Sequence, residues 1–212
     1  MRHLLLSAFI TSTLVLTGCA SDGSSLFVTG VAGLSDECVV DDSVRLLSAI
    51  VDVSQTPSLT IFPVFASQLR DRVGANAANP ADMHVRWVDV RLEDLGGNTL
   101  NLGLPNPFRV PTSVFIESFG GSGSPSTGSG AVEVLPPSYP EAVAAVAGGR
   151  ALVALRPIGR TNGGIEVEGN FDFHYEIRIC NGCLTRCAEG DETAVIPCTP
   201  GQNEETILEC TP

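Results

Sequence analysis

The sequence predicts an all-β protein: an antiparallel β-sandwich with one short helix and a loop-rich, disulfide-stapled C-terminal segment. Three observations favour this class. Short runs of alternating apolar and polar residues recur along the chain, as in strands that bury one face. Turn residues are frequent, with 22 Gly and 14 Pro among 212 residues. One segment alone has the pattern of a helix.

The first alternating run begins at Val44. It places Leu47, Ala49, Val51 and Val53 on one face and ends at a turn of Ser, Gln, Thr and Pro. A period of two residues is that of a strand with one buried face. The sequence therefore predicts a strand here, followed by a turn.

Three further runs predict strands, two of them with special features. Residues 59–65 are apolar on both faces but contain Pro63, which has no N–H for a ladder, so we expect this strand to lie at an edge or bulge. In residues 83–92 the apolar phase shifts after Trp87, which predicts a β-bulge. Residues 110–116 alternate regularly and predict another strand.

One stretch predicts a loop, and a later one predicts the helix. Residues 120–130 contain Gly, Ser, Pro and Thr alone, a composition typical of a flexible surface loop inside the domain. Ser138 and Glu141 have the spacing of a capping box before a run of Ala and Val. Gly148 and Gly149 follow that run, as expected at the end of a helix.

The clearest strands lie in the C-terminal half. Residues 151–156 and 165–167 flank Asn162-Gly163-Gly164, which predicts a hairpin. Residues 171–179 alternate strictly, with aromatic residues and isoleucine on one face. The other face carries Asp172, His174, Glu176 and Arg178. We expect the core to contain Val51, Phe62, Trp87, Val114, Phe173, Tyr175 and Ile177.

Charge and composition exclude several classes of protein. The chain has 12 basic residues, all of them arginine, against 24 acidic ones, and a formal net charge of −12. A nucleic-acid binder needs clustered basic residues, so we expect no nucleic acid as a partner. A hydrophobic content of 43 % argues against a wholly disordered chain. The lack of lysine excludes Schiff-base chemistry and a P-loop.

The N-terminus has the layout of an export signal. A basic start, Met1–His3, precedes the apolar run Leu4–Leu16, which as a helix spans about 20 Å against a bilayer core of roughly 30 Å. The residues Leu16-Thr17-Gly18-Cys19 resemble the lipobox of bacterial lipoproteins. This resemblance implies that Cys19 carries diacylglyceryl and palmitate and anchors the protein in the cell envelope. Since Ala20 rather than Asp follows, it implies the outer membrane. A plain secretory signal is the alternative.

Two segments of the body are similar to predicted lipoproteins of unassigned function from high-GC Gram-negative bacteria. The first is Ile61-Phe62-Pro63-Val64-Phe65 with Gln68-Leu69. The second is the run 179–184 followed by Pro200-Gly201-Gln202. This resemblance implies no activity.

The patterns divide the chain into four regions. Residues 1–18 are predicted to be the signal peptide, and residues 19–36 a flexible tether rich in small and polar residues. Residues 37–180 form the predicted sandwich domain. Residues 181–212 form a cysteine-rich C-terminal segment, whose acidic side chains and thin apolar content leave little to bury.

Six cysteines remain beyond Cys19. They are Cys38, Cys180, Cys183, Cys187, Cys198 and Cys210. An even number in an exported chain predicts disulfides, with Cys180 to Cys210 mostly oxidised and Cys38 either tied to that segment or free. Zinc bound by closely spaced thiolates is one alternative. A redox-active Cys180/Cys183 pair is another.

The sequence contains no familiar catalytic motif, since both G-x-S-x-G and the dinucleotide fingerprint are absent. Asp172, His174 and Glu176 share a strand face on which two of them could hold a divalent ion; an ordinary solvated face is the alternative. We expect a lipid-anchored, non-catalytic binding or structural module without a cofactor, whose partners are the membrane and an envelope protein. The alternative is a metal-dependent or hydrolytic envelope enzyme with its site around His174 and neighbouring carboxylates.

Overall fold

Two β-sheets enclose one apolar core in the computed structural model of the protein. The structure describes residues 25–35, 37–70, 79–119, 124–184, 198–199 and 201–202. The predicted signal peptide, Cys19, Cys187 and Cys210 lie outside these residues, and their assignments stay predictions. The described part of the chain is mostly strand and contains one short helix, which confirms the predicted all-β class.

The described residues form eleven strands and one helix. They are β1 (Leu26–Leu34), β2 (Val40–Leu46), β3 (Ser48–Asp52), β4 (Leu59–Ser67), β5 (Met83–Glu93), β6 (Phe108–Ile116), β7 (Ser126–Ser129), β8 (Val132–Leu135), α1 (Tyr139–Ala147), β9 (Arg150–Thr161), β10 (Glu166–Glu168) and β11 (Phe173–Cys180). The hairpin predicted around residues 162–164 connects β9 to β10.

The strands form a five-stranded and a six-stranded sheet. The first has the order β2-β1-β4-β7, with β8 also paired to β4; the second has the order β3-β11-β9-β5-β6, with β10 paired to β9. Paired strands of the described residues are antiparallel except β3 and β11, which run parallel. Both sheets contribute to one apolar cluster, which joins Leu26 and Phe65 of the first sheet to Val90, Leu155 and Ile177 of the second.

The predicted core is correct for most of its members. Val51, Val114, Tyr175 and Ile177 are buried. Phe62 and Phe173 are half-buried, and Phe173 packs against the core. The assignment of Trp87 to the core is wrong, because its side chain lies on the surface with 42 % of its area exposed.

The exposure of Trp87 follows from the β-bulge, which the sequence predicts correctly. The pairing of β5 with both neighbouring strands shifts between Val85 and Trp87. The extra residue leaves Arg86 and Trp87 both exposed, and Trp87 lies opposite Pro111 of β6. One change of phase has therefore moved the largest side chain of this strand out of the core.

The run that begins at Val44 is divided between two strands rather than forming one. β2 belongs to the five-stranded sheet and β3 to the six-stranded sheet. Leu47 stands between them and is 91 % exposed. The chain changes sheet at this residue, so the predicted apolar face does not include Leu47. Ala49 and Val51 are fully buried, as expected.

Residues 26–34, predicted as part of the flexible tether, form β1 between β2 and β4. Leu26, Val31 and Ala32 have no exposed surface. Glycine at positions 30 and 33 interrupts the alternation that would reveal this strand in the sequence. The structured domain therefore begins well before residue 37.

Pro63 lies in the interior strand β4 rather than at the predicted edge or bulge. Pro157 likewise lies in an interior strand, β9. The carbonyl oxygen of Pro63 accepts a hydrogen bond from the N–H of Gly130 at 3.4 Å, and that of Pro157 accepts one from Gly169 at 2.9 Å. In a strand, the nitrogen and oxygen of one residue point to the same side. The side of Pro63 that lacks an N–H donor therefore faces the gap between β7 and β8. The same side of Pro157 faces the gap between β10 and β11.

Part of the predicted loop 120–130 forms the strand β7, which lies close to β6. A Cβ on Gly128 would stand 2.8 Å from the carbonyl oxygen of Phe115, so this position needs glycine. The predicted helix is confirmed as α1 and ends at Gly148, whose φ of 63° is left-handed. Ser138 occupies the N-cap, but its side chain makes no capping hydrogen bond, so the predicted capping box does not form.

Gly128→Ala tests the close approach of β7 to β6. We expect a loss of about 1–3 kcal/mol in the free energy of unfolding, because the new methyl group would overlap a backbone oxygen. Gly30→Ala in β1 is the control, since its Cβ would meet only the flexible end of Arg45, at 3.1 Å. Urea unfolding measures both variants, and equal stabilities would contradict this packing.

Candidate functional site

The outer face of the six-stranded sheet carries a pocket of about 290 Å³. The strand register places Asp89 of β5 opposite Arg109 of β6 and opposite Arg156 of β9. These side chains point outward because Val88 and Val90, on either side of Asp89, are buried in the core. The pocket is lined by Asp89, Val90, Arg91, Pro107, Phe108, Arg109, Ala154, Arg156 and Asp172.

Asp172 is the central acceptor of this pocket. It lies just before β11, in the break that follows β10. Its carboxylate accepts hydrogen bonds from Nη2 of Arg91 at 2.6 Å and from Nε of Arg156 at 2.8 Å. Burial favours the neutral acid, but the bonds from Arg156 and Arg91 outweigh it, so the pKa of Asp172 is lowered. One carboxylate therefore joins β5 to β9.

Arg109 makes the exposed ion pair of the pocket. Its Nε and Nη2 donate to the two carboxylate oxygens of Asp89 at 2.6 and 2.9 Å, a bidentate arrangement that fixes the guanidinium plane. The Arg109 side chain is nevertheless 53 % exposed. Three arginines and two aspartates line the pocket, and Glu93 and Glu168 also pair with Arg91 and Arg156 beside it.

A second polar contact adjoins the pocket at Glu93. One carboxylate oxygen of Glu93 accepts a hydrogen bond from Nε of Arg91 at 2.6 Å, and the other lies 3.2 Å from Nε2 of His174. The Glu93 side chain is only 3 % exposed, whereas that of His174 is 46 % exposed. In the described part of the chain, the imidazole of His174 has no other hydrogen-bond partner.

The three residues proposed from sequence as metal candidates have different partners. Asp172 binds two arginines, His174 contacts Glu93, and Glu176 pairs with Arg150 at 2.6 Å. That two of these residues hold a divalent ion stays a prediction. His84, the other histidine of the described residues, packs against Phe115, with the ring centroids 5.0 Å apart and the ring planes tilted by 50°.

Sequence reasoning missed the arginines of the pocket and Glu93. Charged residues of opposite sign do alternate at positions 89, 91 and 93, and that pattern marks the outer face of β5. The partners come from β6, from β9 and from Asp172, which is 81 residues away from Arg91 in the chain. The pocket therefore depends on the order of the strands in the sheet, and no local sequence pattern predicts that order.

A second cluster surrounds Asp52 at the end of β3, where the C-terminal segment meets the domain. Asp52 is completely buried. Its Oδ1 accepts hydrogen bonds from N–H and Oγ of Ser54 at 3.0 and 2.7 Å and from N–H of Gly182 at 2.7 Å. Its Oδ2 accepts one from N–H of Leu184 at 2.8 Å. Burial opposes ionisation, but these bonds prevail and lower the pKa of Asp52 to about 2.

Two disulfides form among the described cysteines, as predicted. Cys38 is bonded to Cys198, so the alternative in which Cys38 ties to the C-terminal segment is the one observed. Cys180 is bonded to Cys183. These two sulfurs and Asp52 are the one group of possible metal ligands close enough to share an ion among the residues that the structure describes. The sulfurs are bonded to each other and the carboxylate is fully hydrogen-bonded, which does not fit the zinc alternative.

Comparison with models of known protein families found no matching family, and searches of curated proteins and of solved structures found no match either. Within the described residues, no helix has the length and apolar character needed to cross a membrane.

Asp172→Asn tests the role of this carboxylate. We expect a loss of about 1–3 kcal/mol in the free energy of unfolding, because Arg91 and Arg156 both lose a charged acceptor. The pKa of Asp172 is lowered from 3.8 in the folded state, so its contribution is present above pH 3.8 and disappears as the pH falls further. The difference from the unsubstituted protein should shrink in acid.

The matched control is Asp89→Asn, which removes a more exposed pair from the same pocket. We expect it to change the free energy of unfolding by no more than about 1 kcal/mol. Urea unfolding at neutral pH and at acidic pH compares the two variants. An Asp89 variant less stable than the Asp172 variant would contradict the central position of Asp172.

Proposed function

We propose that the protein is a lipid-anchored binding module of the bacterial envelope, without catalytic activity, and that its ligand is a small anionic molecule held in the pocket beside Arg109. The observation that carries this proposal is the convergence of Arg91, Arg109 and Arg156 on one pocket of an otherwise strongly acidic chain. An anionic group is the ligand chemistry that such a set recognises.

The arginines keep donors available for a ligand. A guanidinium group has five N–H donors, and each of the three arginines uses only some of them on its carboxylate partners. The side chains of Arg91 and Arg156 are 32 and 37 % exposed. Their ion pairs hold the guanidinium groups in place before a ligand arrives, which lowers the entropy cost of binding.

The size and the apolar lining limit the ligand further. Pro107, Phe108 and Ala154 contribute apolar side chains to the lining. The volume of about 290 Å³ lies just below the range of roughly 300–1,000 Å³ that is usual for ligand pockets. We therefore expect a carboxylate or phosphate attached to a single ring or short chain.

Arg109→Gln tests this pocket. We expect it to weaken binding of a matching anion by about tenfold or more, because a charged donor is lost while an exposed partner, Asp89, tolerates the change. The control is Arg160→Gln, since Arg160 lies in β9 and its exposed side chain bonds, among the described residues, the carbonyl oxygen of Gly164 alone. Calorimetry with benzoate, glucuronate and inorganic phosphate, alongside uncharged benzamide and glucose, measures the binding.

We expect the anions and the uncharged compounds to differ in binding. At least one anion should bind the unsubstituted protein and the Arg160 variant alike, and its uncharged counterpart should not. Binding of benzamide or glucose as tightly as the anions would exclude an arginine-directed site. Equal losses in the two variants would place the ligand outside the pocket.

The proposed anchor rests on the lipobox resemblance at Leu16-Thr17-Gly18-Cys19. Cys19→Ser should release soluble protein or leave uncleaved precursor, because one modified thiol then supplies the entire attachment to the membrane. Fractionation of cells grown with radiolabelled fatty acid measures both attachment and label. Label that still enters the Cys19 variant would contradict lipidation at this residue. The outer membrane and an envelope protein partner belong to the same proposal.

A hydrolytic or metal-dependent enzyme at His174 remains the second candidate function. The contact between His174 and the buried carboxylate of Glu93 favours it, since a carboxylate can orient an imidazole for proton transfer. We rank it second because the described residues place no hydroxyl or thiol within hydrogen-bond reach of this imidazole.

A further inference from the structure

We propose that the Cys180–Cys183 disulfide is a thiol–disulfide exchange site for an external dithiol, with Cys183 as the sulfur that is attacked and Cys180 as the sulfur that is released. This activity is independent of the anion pocket. The two cysteines occupy the end of β11 and the turn that follows it. Cys183 is exposed, whereas Cys180 is half-buried and its sulfur lies 3.6 Å from the carbonyl oxygen of Val51.

The disulfide contributes little to holding the fold together. It joins residues three positions apart, whereas Cys38–Cys198 joins residues 160 positions apart. In the chain-entropy model, the constraint on the unfolded chain grows with the length of the closed loop. The short loop therefore leaves the Cys180–Cys183 bond free to open without a large loss of stability.

Asp52 fixes the same turn without help from the disulfide. Its carboxylate accepts the N–H groups of Gly182 and Leu184, which lie within and just after the Cys-x-x-Cys turn. The carbonyl oxygen of Cys180 accepts a hydrogen bond from the N–H of Val53 at 2.9 Å. Gly182, with a φ of 78°, supplies the left-handed residue that the turn requires. The backbone should therefore keep its shape in both redox states.

Exchange transfers two electrons from the dithiol to the protein disulfide. A thiolate of the dithiol attacks Sγ of Cys183, the bond between the two protein sulfurs breaks, and its electron pair passes to Sγ of Cys180, which takes up a proton from water. The second thiol of the substrate then displaces Cys183 from the mixed disulfide. The substrate leaves oxidised and the protein dithiol is reduced; a small-molecule disulfide restores the starting state.

Turnover distinguishes this activity from a structural disulfide. A dithiol peptide is mixed with glutathione disulfide, and its oxidation is followed with and without the full mature chain. We expect the protein to accelerate peptide oxidation by about tenfold or more over several turnovers, and Cys183→Ser to abolish the acceleration. Cys38→Ser combined with Cys198→Ser, checked for fold by near-ultraviolet circular dichroism, should keep it.

Mapping of adducts on the unsubstituted protein gives a second, independent measurement. Brief treatment with reduced glutathione, followed by alkylation and peptide mass spectrometry, should find the glutathione adduct on Cys183 and the alkyl group on Cys180. The near-ultraviolet spectrum should stay native when the Cys180–Cys183 pair is reduced and Cys38–Cys198 stays bonded. Absence of catalysed turnover, an adduct mainly on Cys180, or loss of the native spectrum on reduction of this pair would each overturn the proposal.

Discussion

The buried carboxylate of Asp52 determines how the C-terminal segment is attached to the β-domain. Removing a carboxylate from water is costly unless hydrogen bonds compensate it, and Asp52 receives four short ones from Ser54, Gly182 and Leu184. Its backbone also accepts bonds from the turn that follows β3, and its N–H donates to Gly201. The parallel pairing of β3 with β11 brings these partners together, and one charged group then holds the turn that carries the Cys180–Cys183 disulfide.

The gap between β10 and β11 lies beside the arginine pocket. Pro157 cannot donate a hydrogen bond to a partner strand, and the chain leaves the sheet at that point, between β10 and β11. Asp172 lies in this gap, and its carboxylate binds Arg91 of β5 and Arg156 of β9. The gap that faces Pro157 and the carboxylate at the centre of the pocket therefore belong to the same stretch of chain.

Sequence patterns predict those elements that bury one face. The strand at residues 173–180, the bulge near Trp87 and the helix that ends at Gly148 each have a local period or turn residue that indicates them. β1 has no such pattern, because glycine and burial on both faces hide the alternation. Asp52 looks like an ordinary polar strand residue, since Gly182 lies 130 positions away. The pocket and the carboxylate cluster depend on long-range register, and local periodicity contains no information about it.

The pKa of the Asp52 carboxyl group is the most direct measure of this account. Carbon-detected NMR titration of the side chain, in the folded protein with both described disulfides intact, gives that value residue by residue. The hydrogen bonds predict a pKa of about 2, below the ordinary 3.8. Because the folded value is the lower one, the carboxylate stabilises the fold above about pH 4 and loses this effect as the pH falls toward 2. A pKa at or above 3.8 would mean that burial outweighs the hydrogen bonds, and would contradict the account.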